Sequence, residues 1–326
     1  MQLVEYSRYG GAEVLAMATA EKPVPHDDEI LIRVHATTVT SGDRLARSLD
    51  MPRGYGWLGR LVFGLRGPRQ PILGSEFSGE VAAVGTNVRG FLEGDRVFAF
   101  PGARFGGYAE YALMSQYGAI AHIPTSLSFE QAAALSFGGC TALKFLSGLG
   151  QVQVRDEVAI IGASGGVGSA CVQLANYLGA KVTAVCREEH FEKLAELGAC
   201  DLLDSAELKR QGMRKGHFDI ILDTSGSISY RQAEPWLKHG GQLLLVAADL
   251  VQALTMYLTP KRNGKTGRVG YASEHAQDLQ TLARLASTRT FMPWIERRYA
   301  FDEITQAHRD YDESGKRGNW VVNVRP

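Results

Sequence analysis

The sequence predicts an α/β protein in which a β-rich domain is combined with a doubly wound parallel-sheet domain. Short strand-like runs bounded by glycines occupy roughly the first hundred residues. After Pro124, apolar strands alternate with helical stretches, and one strand leads directly into a glycine-rich turn and a helix. This alternation is typical of a parallel sheet covered on both faces. The 326 residues are enough for two such domains.

The β-rich domain is predicted from four runs of β-branched and aromatic residues that follow turns. They are Glu29–His35, Gly79–Gly85, Asp95–Phe100 and Gly107–Ala112. Short strands at this spacing indicate a compact, partly barrel-like domain. The run Trp320–Val324 reads as a terminal strand, and we expect it to return to this domain.

The parallel-sheet domain is predicted to cover residues 124–272, which leaves 1–123 and 273–326 to the β-rich domain. Ser128 and Gln131 form a capping-box pattern at the start of its first helix. The predicted strands are 157–161, 181–186, 201–204, 218–223, 242–247 and 268–272, with helices over 166–177 and 191–197.

Composition argues against a nucleic-acid-binding protein and against a membrane-spanning one. Because 35 Lys and Arg balance 35 Asp and Glu, no net positive field would attract nucleic acid. The longest apolar runs, Val158–Ile161 and Leu243–Ala248, are far shorter than the ~20 residues of a membrane span. The N-terminus lacks the pattern of a signal peptide. Four cysteines without CxxC spacing indicate a reduced, cytoplasmic protein.

The turn Gly162–Gly168, between a strand and a helix, predicts a dinucleotide-binding loop. Backbone N–H groups and the positive end of the helix dipole would receive the phosphates there. The residues expected to contact the cofactor are Ser164, Gly165, Gly166 and Val167. Since Ala163 replaces the first glycine of the strict G-x-G-x-x-G pattern, a plain tight turn is the alternative.

The end of the following strand favours NADPH as the cofactor. Arg187 is the first residue beyond that strand, and a guanidinium there suits the 2′-phosphate. His190 is a second candidate contact. NAD enzymes place Asp or Glu at this point, and Glu188 and Glu189 follow directly. An acid that pairs with Arg187 or turns into the ribose site is therefore the alternative.

Several motifs occur in one order along nearly the whole chain and together resemble the medium-chain dehydrogenase/reductase superfamily. They are Pro71–Val81, Val84–Val88, Glu93–Phe98, Gly107–Tyr111, Ala132–Leu143, the glycine loop, Phe218–Gly226, Gly240–Leu244 and Gly315–Asn319. Within that superfamily the chain is most similar to the zinc-independent quinone oxidoreductase-like branch. The resemblance implies a GroES-like catalytic domain, a Rossmann domain, an active site in the cleft between them, and a homodimer. It also implies cofactor contacts at Thr141, Ser225, Ala247, Ala248 and Asn319.

The resemblance also allows the zinc ligands of related enzymes to be placed on this sequence. Matching on the family's Asp, Gly and Thr positions puts Thr40, Ser75 and Phe137 where zinc ligands would lie. None of these side chains is a usual zinc ligand. Glu76 remains, and we expect it to be a structural ion-pair acid. We therefore predict no metal site.

Without a metal, the resemblance implies hydride transfer to an acceptor that is already electrophilic, a quinone or an α,β-unsaturated carbonyl. Thr40, Ser41 and Asp43 are expected near the nicotinamide, where Thr40 or Ser41 would donate to the substrate oxygen. A structural Asp43 paired with Arg44 or Arg47 is the alternative. Rival functions are an NAD(P)-dependent carbonyl reductase or alcohol dehydrogenase, and a non-catalytic nucleotide-binding interaction protein.

The segment 51–68 interleaves apolar, aromatic, arginine and glycine residues. One interpretation is a mobile lid in which Tyr55 and Trp57 contact the substrate and Tyr55 is a candidate proton donor. A membrane-touching or partner-binding patch is a second interpretation. A loop packed on the β-rich domain is the third. Cys140 is expected to be a small buried hydrophobe, with a redox-sensitive thiol as the alternative.

Overall fold

The computed structural model describes residues 1–246, 248–258, 262–272, 274–315 and 317–325. Its strands are β1 Gln2–Glu5, β2 Ala16–Thr19, β3 Glu29–Thr38, β4 Phe77–Val84, β5 Arg96–Ala99, β6 Tyr111–Ser115, β7 Ile120–His122, β8 Glu157–Ile161, β9 Lys181–Cys186, β10 Asp201–Asp204, β11 Phe218–Asp223, β12 Leu237–Leu245, β13 Thr266–Val269, β14 Ile295–Ala300 and β15 Asn319–Asn323.

The α-helices are α1 Ser41–Ser48, α2 Gly56–Phe63, α3 Phe129–Ala133, α4 Ser136–Leu143, α5 Gly166–Tyr177, α6 Phe191–Glu196, α7 Ser205–Gln211, α8 Tyr230–Ala233, α9 Leu250–Leu258, α10 Ala276–Ser287 and α11 Ile304–Ser314. A π-helical stretch, Lys144–Gly150, continues α4. Packing divides the chain into two units. Unit 1 comprises Met1–Met51, Gly56–Cys140 and Glu274–Pro326, and unit 2 comprises Pro52–Tyr55 and Thr141–Ser273.

Unit 1 is built on a sheet with the strand order β14-β15-β3-β4-β5-β7, and β6 also pairs with β3. The terminal strand β15 runs antiparallel to β3, with Val321 opposite Thr38. This confirms that the last strand returns to the β-rich domain. The predicted strand Gly107–Ala112 is displaced, because the ladder with β3 begins only at Tyr111.

Unit 2 contains a parallel sheet with the order β10-β9-β8-β11-β12-β13. Its strands are short and apolar, and β8 and β11 are almost fully buried. The crossover at β8 places the carboxyl ends of β8, β9 and β11 side by side, which is where doubly wound sheets bind ligands. The predicted doubly wound sheet is confirmed.

The predicted start of the second domain, at residue 124, is too early. Residues up to Cys140 group with unit 1, because α3 packs on the β-rich sheet. The Ser78 hydroxyl donates to the carbonyl of Phe129 at 2.6 Å. The ring of Phe129 also stacks on His35, with 4.1 Å between the ring centroids.

One helical stretch in the described part of the chain could cross a membrane by length and composition alone. It covers Phe129–Gly150, 22 residues with a mean hydropathy of 1.3. However, 67% of its apolar window is buried inside the protein. Core helices of water-soluble domains have this property, so the stretch is weak support for a span.

Candidate functional site

The glycine turn of unit 2 leaves the start of α5 free of side chains. Gly165 is the N-cap residue, and no side chain caps the helix. A Cβ added at Gly165 would have one neighbour within 4 Å, the carbonyl oxygen of Gly162 at 3.5 Å. The fold itself would therefore tolerate a side chain there. The open space lies where the N–H groups of a helix N-terminus attract phosphate.

Gly168 has a different role in the same turn. A Cβ at Gly168 would lie 2.2 Å from the carbonyl oxygen of Gly162 and 2.7 Å from the Cα of Ala163. Since no side chain fits into that space, Gly168 allows α5 to pack directly against the turn. The two glycines together leave room for a bound pyrophosphate, and the cofactor contacts predicted in this turn stay a prediction.

A cavity of about 490 Å³ opens beside this turn, within unit 2. Three of the predicted cofactor residues, Ser164, Arg187 and Ser225, line it. The other lining residues are Ile161, Gly162, Val185, Cys186, Ser205, Leu208, Lys209, Gly212, Ser227, Ile228, Arg231, Gln232, Pro235 and Trp236. Its volume and its mixture of apolar and polar walls suit a nucleotide.

The cavity lining contains three cations, Arg187, Lys209 and Arg231. Arg187 follows β9, whereas Lys209 and Arg231 lie on α7 and α8. Sequence reasoning missed the last two. The available signal was that each of these two residues lies on a short helix directly after a strand of the parallel sheet. That position alone does not show that the two side chains converge on one cavity.

Glu189 moderates the positive charge of this wall. Its carboxylate lies 3.3 Å from Nη1 of Arg187 and 3.2 Å from Nε2 of His190. The pairing of Arg187 with an acid, which the sequence left open, is therefore observed. His190 is buried and does not line the described cavity, so the structure does not support a direct phosphate contact from its ring.

Asp223, at the end of β11, organises the loop that carries Ser225. One of its carboxylate oxygens accepts hydrogen bonds from the backbone N–H and the hydroxyl of Ser225, at 2.8 and 2.7 Å. The other accepts from the N–H of Ile228 at 3.0 Å. Asp223 is fully buried. It fixes this wall of the cavity, a role that the sequence analysis did not assign.

The remaining predicted cofactor residues lie away from the cavity lining or outside the described residues. Thr141 and Ala248 are buried in unit 2. Asn319 belongs to unit 1, where its side-chain amide donates to the carbonyl of Trp294 at 3.3 Å. Ala247 lies outside the residues that the structure describes.

In unit 1, Asp43 organises the turn that begins α1. Its carboxylate accepts from the hydroxyl of Thr40 at 2.6 Å and from the N–H groups of Gly74 and Ser75, each at 3.0 Å. Thr40 and Asp43 form a reciprocal capping box. Burial raises the pKa of Asp43, and these hydrogen bonds oppose that rise. The carboxylate holds two chain segments together.

The alternative pairing of Asp43 with Arg44 or Arg47 is wrong. Both arginines instead bind Asp312 of α11, at 2.9 and 2.5 Å. Asp43 is satisfied by hydroxyl and N–H donors that the turn supplies without a cation.

The predicted substrate contacts differ in accessibility. Thr40 is 1% exposed, and its hydroxyl proton is directed at Asp43, so Thr40 holds the turn in this structure. Ser41, the first residue of α1, is exposed and remains the predicted donor.

The three positions matched to zinc ligands do lie near one another. The hydroxyls of Thr40 and Ser75 are 2.9 Å apart. A Cβ built on Gly42 would lie 3.4 Å from both Cε2 of Phe137 and the Thr40 hydroxyl. Two hydroxyls and a phenyl ring do not fit zinc. Among the described residues, no three His, Cys, Asp or Glu side chains form a candidate metal site.

Glu76 caps a helix, and the ion pair expected for it stays a prediction. Its carboxylate accepts from the hydroxyl of Thr38 at 2.6 Å and from the N–H of Phe137, in the first turn of α4, at 2.5 Å. A carboxylate at this end of a helix is favoured by the helix dipole. Cys140, on the same helix, is fully buried. Burial raises the pKa of its thiol, which supports the interpretation as a small hydrophobe.

The segment predicted as a lid contains an anchored stretch followed by a helix. Residues Pro52–Tyr55 group with unit 2, where the N–H of Leu250 donates to the carbonyl of Arg53 at 3.0 Å. Burial raises the pKa of Tyr55 above that of a free phenol, and Tyr271 and Asp249 add to the rise. Its hydroxyl therefore keeps its proton at neutral pH. The next residues form α2, a helix that we did not predict.

The chain is similar to known oxidoreductases over nearly its whole length. Residues 26–125 match the family described as alcohol dehydrogenase GroES-like domain, and residues 166–287 match the family described as zinc-binding dehydrogenase. Human quinone oxidoreductase is 27% identical, over 99% of this chain and 97% of the relative. The mitochondrial NAD(P)H oxidoreductase of Bos taurus is 28% identical, over 97% of this chain and 87% of the relative.

Solved structures give the same result. The quinone oxidoreductase from Coxiella burnetii superposes with a TM-score of 0.87 at 26% identity, over 100% of this chain and 99% of that one. An NAD-dependent alcohol dehydrogenase superposes with a TM-score of 0.83 at 23% identity, covering 100% of both chains. At 23% identity, the similarity to the alcohol dehydrogenase shows only that the two proteins share a fold.

Proposed function

Because the chain belongs to the medium-chain dehydrogenase/reductase superfamily, in its quinone oxidoreductase-like branch, we propose that it is a zinc-independent, NADPH-dependent reductase of quinones or α,β-unsaturated carbonyls. An NAD(P)H oxidoreductase activity follows from the family. The preference for NADPH, the class of acceptor and the independence from zinc are the proposal.

The observation that carries the cofactor preference is the cationic wall of Arg187, Lys209 and Arg231 on the nucleotide cavity. A ribose 2′-phosphate is a dianion at neutral pH, and charge-assisted hydrogen bonds to guanidinium and ammonium groups stabilise it. The 2′-hydroxyl of NAD requires an acidic acceptor instead. Glu189 is the nearby acid, and it is paired with Arg187 and His190.

The acceptor class is supported by the turn around Asp43. Related zinc enzymes stabilise an alkoxide with the metal, and hydroxyls with a phenyl ring cannot do so. A bound nicotinamide would supply a hydride, which an electrophilic quinone or enone accepts without a Lewis acid. The developing oxyanion then requires a hydrogen-bond donor. Ser41 and Tyr55 are the proposed donors, and Thr40 and Asp43 hold the turn that carries Ser41.

Two further expectations belong to the same proposal. A homodimer would form along β13, the last strand of the parallel sheet, where the side chains of Leu254, Leu258 and Tyr271 are exposed. A reducing, cytoplasmic location fits four free cysteines, of which only Cys200 is exposed.

A turnover screen tests the proposal. NADPH and NADH are each offered with ortho- and para-quinones, enones and simple ketones, and oxidation of the cofactor is followed by its absorbance. We expect oxidation of NADPH with quinones or enones and little with ketones. Turnover restricted to ketones or alcohols would assign the chain to a carbonyl reductase or alcohol dehydrogenase. Tight NADPH binding without turnover of any acceptor would indicate a nucleotide-binding protein that is not an enzyme.

A further inference from the structure

We propose that α2 and the turn after it dock on an anionic lipid surface. The docking patch, called the α2 patch, consists of Trp57, Arg60, Leu61, Val62, Leu65, Arg66 and Arg69, all in unit 1. The proposal does not depend on which substrate the enzyme reduces.

Helix α2 is anchored by one face only. Gly59 is buried, and a Cβ there would lie 2.5 Å from Cγ of Met51. Phe63, four residues later, places its ring 6.2 Å from that of Phe105. Residues four apart share one side of a helix. The helix therefore sits on unit 1 through Gly59 and Phe63.

The other large apolar side chains of this segment, apart from the half-buried Leu58, face solvent. Trp57 and Leu61, again four residues apart, are 68% and 51% exposed, and Leu65 is 63% exposed. Val62 beside them is 50% exposed. A contiguous exposed group of large apolar side chains marks an interaction site in soluble proteins. Packing within the fold does not explain why tryptophan and leucine occupy these positions.

The charge of the same segment is entirely positive. No Asp or Glu occurs between Asp50 and Glu76, a stretch that holds four arginines in a chain with no net charge. Arg60, Arg66 and Arg69 are exposed. In the part of the chain that the structure describes, the ion pairs of arginine involve other residues. Among those residues, the α2 patch thus has no internal counter-charge.

An anionic bilayer matches both properties. Exposed Trp and Leu beside Arg is the composition of helices that lie in a membrane interface, where the indole sits at headgroup level. Anionic headgroups supply the missing negative charge in any orientation. A second copy of the chain fits less well, because a two-fold contact would bring the same three arginines face to face.

Co-sedimentation with vesicles tests the proposal. The full-length protein is mixed with vesicles of phosphatidylcholine alone or of phosphatidylcholine with phosphatidylglycerol, at low and high salt. Two variants remove the charge (Arg60→Gln, Arg66→Gln and Arg69→Gln together) or the apolar contacts (Trp57→Ser with Leu61→Ser). Matched controls in unit 1 change exposed residues elsewhere, namely Arg104, Arg284 and Arg289 to Gln, or Val24 and Leu92 to Ser.

We expect binding to the anionic vesicles that weakens at high salt. Each arginine near an anionic surface raises the binding affinity about fivefold, so the triple charge variant should bind about 100-fold more weakly. The apolar variant should lose at least about tenfold, since insertion of both side chains is lost. Both control variants should bind like the natural protein, and circular dichroism should show that all variants are folded.

Three outcomes would overturn the proposal. The first is that the natural protein binds neither vesicle type, and the second is that the charge and control variants bind equally well. The third is capture by polyglutamate beads without vesicle binding, which would assign the α2 patch to an acidic protein partner.

Discussion

Nη2 of Arg47 donates a 2.5 Å hydrogen bond to Oδ2 of Asp312, a residue 265 positions away in the chain. The Arg47 side chain is 1% exposed, and that of Asp312 is 27% exposed. Nε and Nη1 of Arg47 have no hydrogen-bond partner among the described residues. The carboxylate of Asp312, on α11, is therefore the main counter-charge of the buried Arg47 guanidinium on α1.

Removing that carboxylate should destabilise unit 1. We expect Asp312→Ala to lower the free energy of unfolding by about 3 kcal/mol, because a buried guanidinium is left without its partner. Urea denaturation measures the change. Glu313→Ala, at the next residue of the same helix, is the control and should cost less than about 0.5 kcal/mol. Equal losses in both variants would show that Asp312 acts through the helix and not through Arg47.

The cationic wall makes a prediction about cofactor discrimination. Lys209→Ala should weaken NADPH binding about tenfold and leave NADH binding nearly unchanged, because only NADPH has the 2′-phosphate. Arg187→Ala should act in the same direction. Arg210→Ala is the matched control, since Arg210 follows Lys209 on α7 but does not line the cavity. Fluorescence titration gives both dissociation constants. An equal loss for NADPH and NADH would contradict the assignment.

Glu189 should oppose NADPH binding. Its carboxylate pairs with Arg187 at 3.3 Å on the surface of unit 2, so it competes with a phosphate for the guanidinium. We expect Glu189→Gln to tighten NADPH binding about threefold, the size of an exposed ion-pair effect. Glu188→Gln serves as the comparison in the same titration. Weaker NADPH binding in Glu189→Gln would mean that the carboxylate positions Arg187 for the cofactor.

Glu130 should make stability depend on pH. Burial alone would raise the pKa of Glu130. Hydrogen bonds from Arg298 and Asn323, together with the charge of Arg298, outweigh this effect, so the net shift of the pKa is downward. A depressed pKa adds stability above the unfolded-state value, and this stability is lost as pH falls through the folded-state value. The pair is partly exposed.

The measurement compares the natural protein with Glu130→Gln by urea denaturation across pH. We expect a deficit of about 1 kcal/mol in the variant near neutral pH, which shrinks as the pH falls below about 4.3, the usual pKa of a glutamate. Glu313→Gln should show no such pH-dependent difference. A deficit that stays constant over the whole range would assign the effect to packing and not to the charge.

The sequence predicted those parts of the fold that depend on neighbours in the chain. The bounds of α5, Gly166–Tyr177, and of β8 and β9 agree with the prediction, because apolar runs and glycine punctuation define them locally. The capping box of Ser128 and Gln131 is also present as predicted. Such features use residues within a few positions of each other.

Features that depend on tertiary packing were not predictable in this way. The acids nearest to Arg47 in the sequence are Asp43 and Asp50, so a local pairing was the natural expectation, yet its partner is Asp312. Residues far apart in the chain meet only when the sheet and helices have assembled. No local pattern along the sequence specifies such a pair.

The cavity wall and helix α2 show the same limit. The three cations of the wall lie on separate elements, and they converge only after the strands that precede them have aligned. Helix α2 was not predicted, and the glycines around it have low helix propensity. Packing of Gly59 and Phe63 on unit 1 overrides that preference.

The position to which a labelled hydride is delivered distinguishes zinc-independent reduction of a conjugated C=C bond from reduction of a carbonyl group. The protein is dialysed against a chelator and supplied with NADPH carrying deuterium at the transferable C4 position, together with an α,β-unsaturated ketone. NMR then locates the deuterium in the product. We expect turnover without added metal and deuterium on the β-carbon of a saturated ketone. Deuterium on the carbinol carbon of an allylic alcohol, or turnover only after zinc is restored, would contradict it.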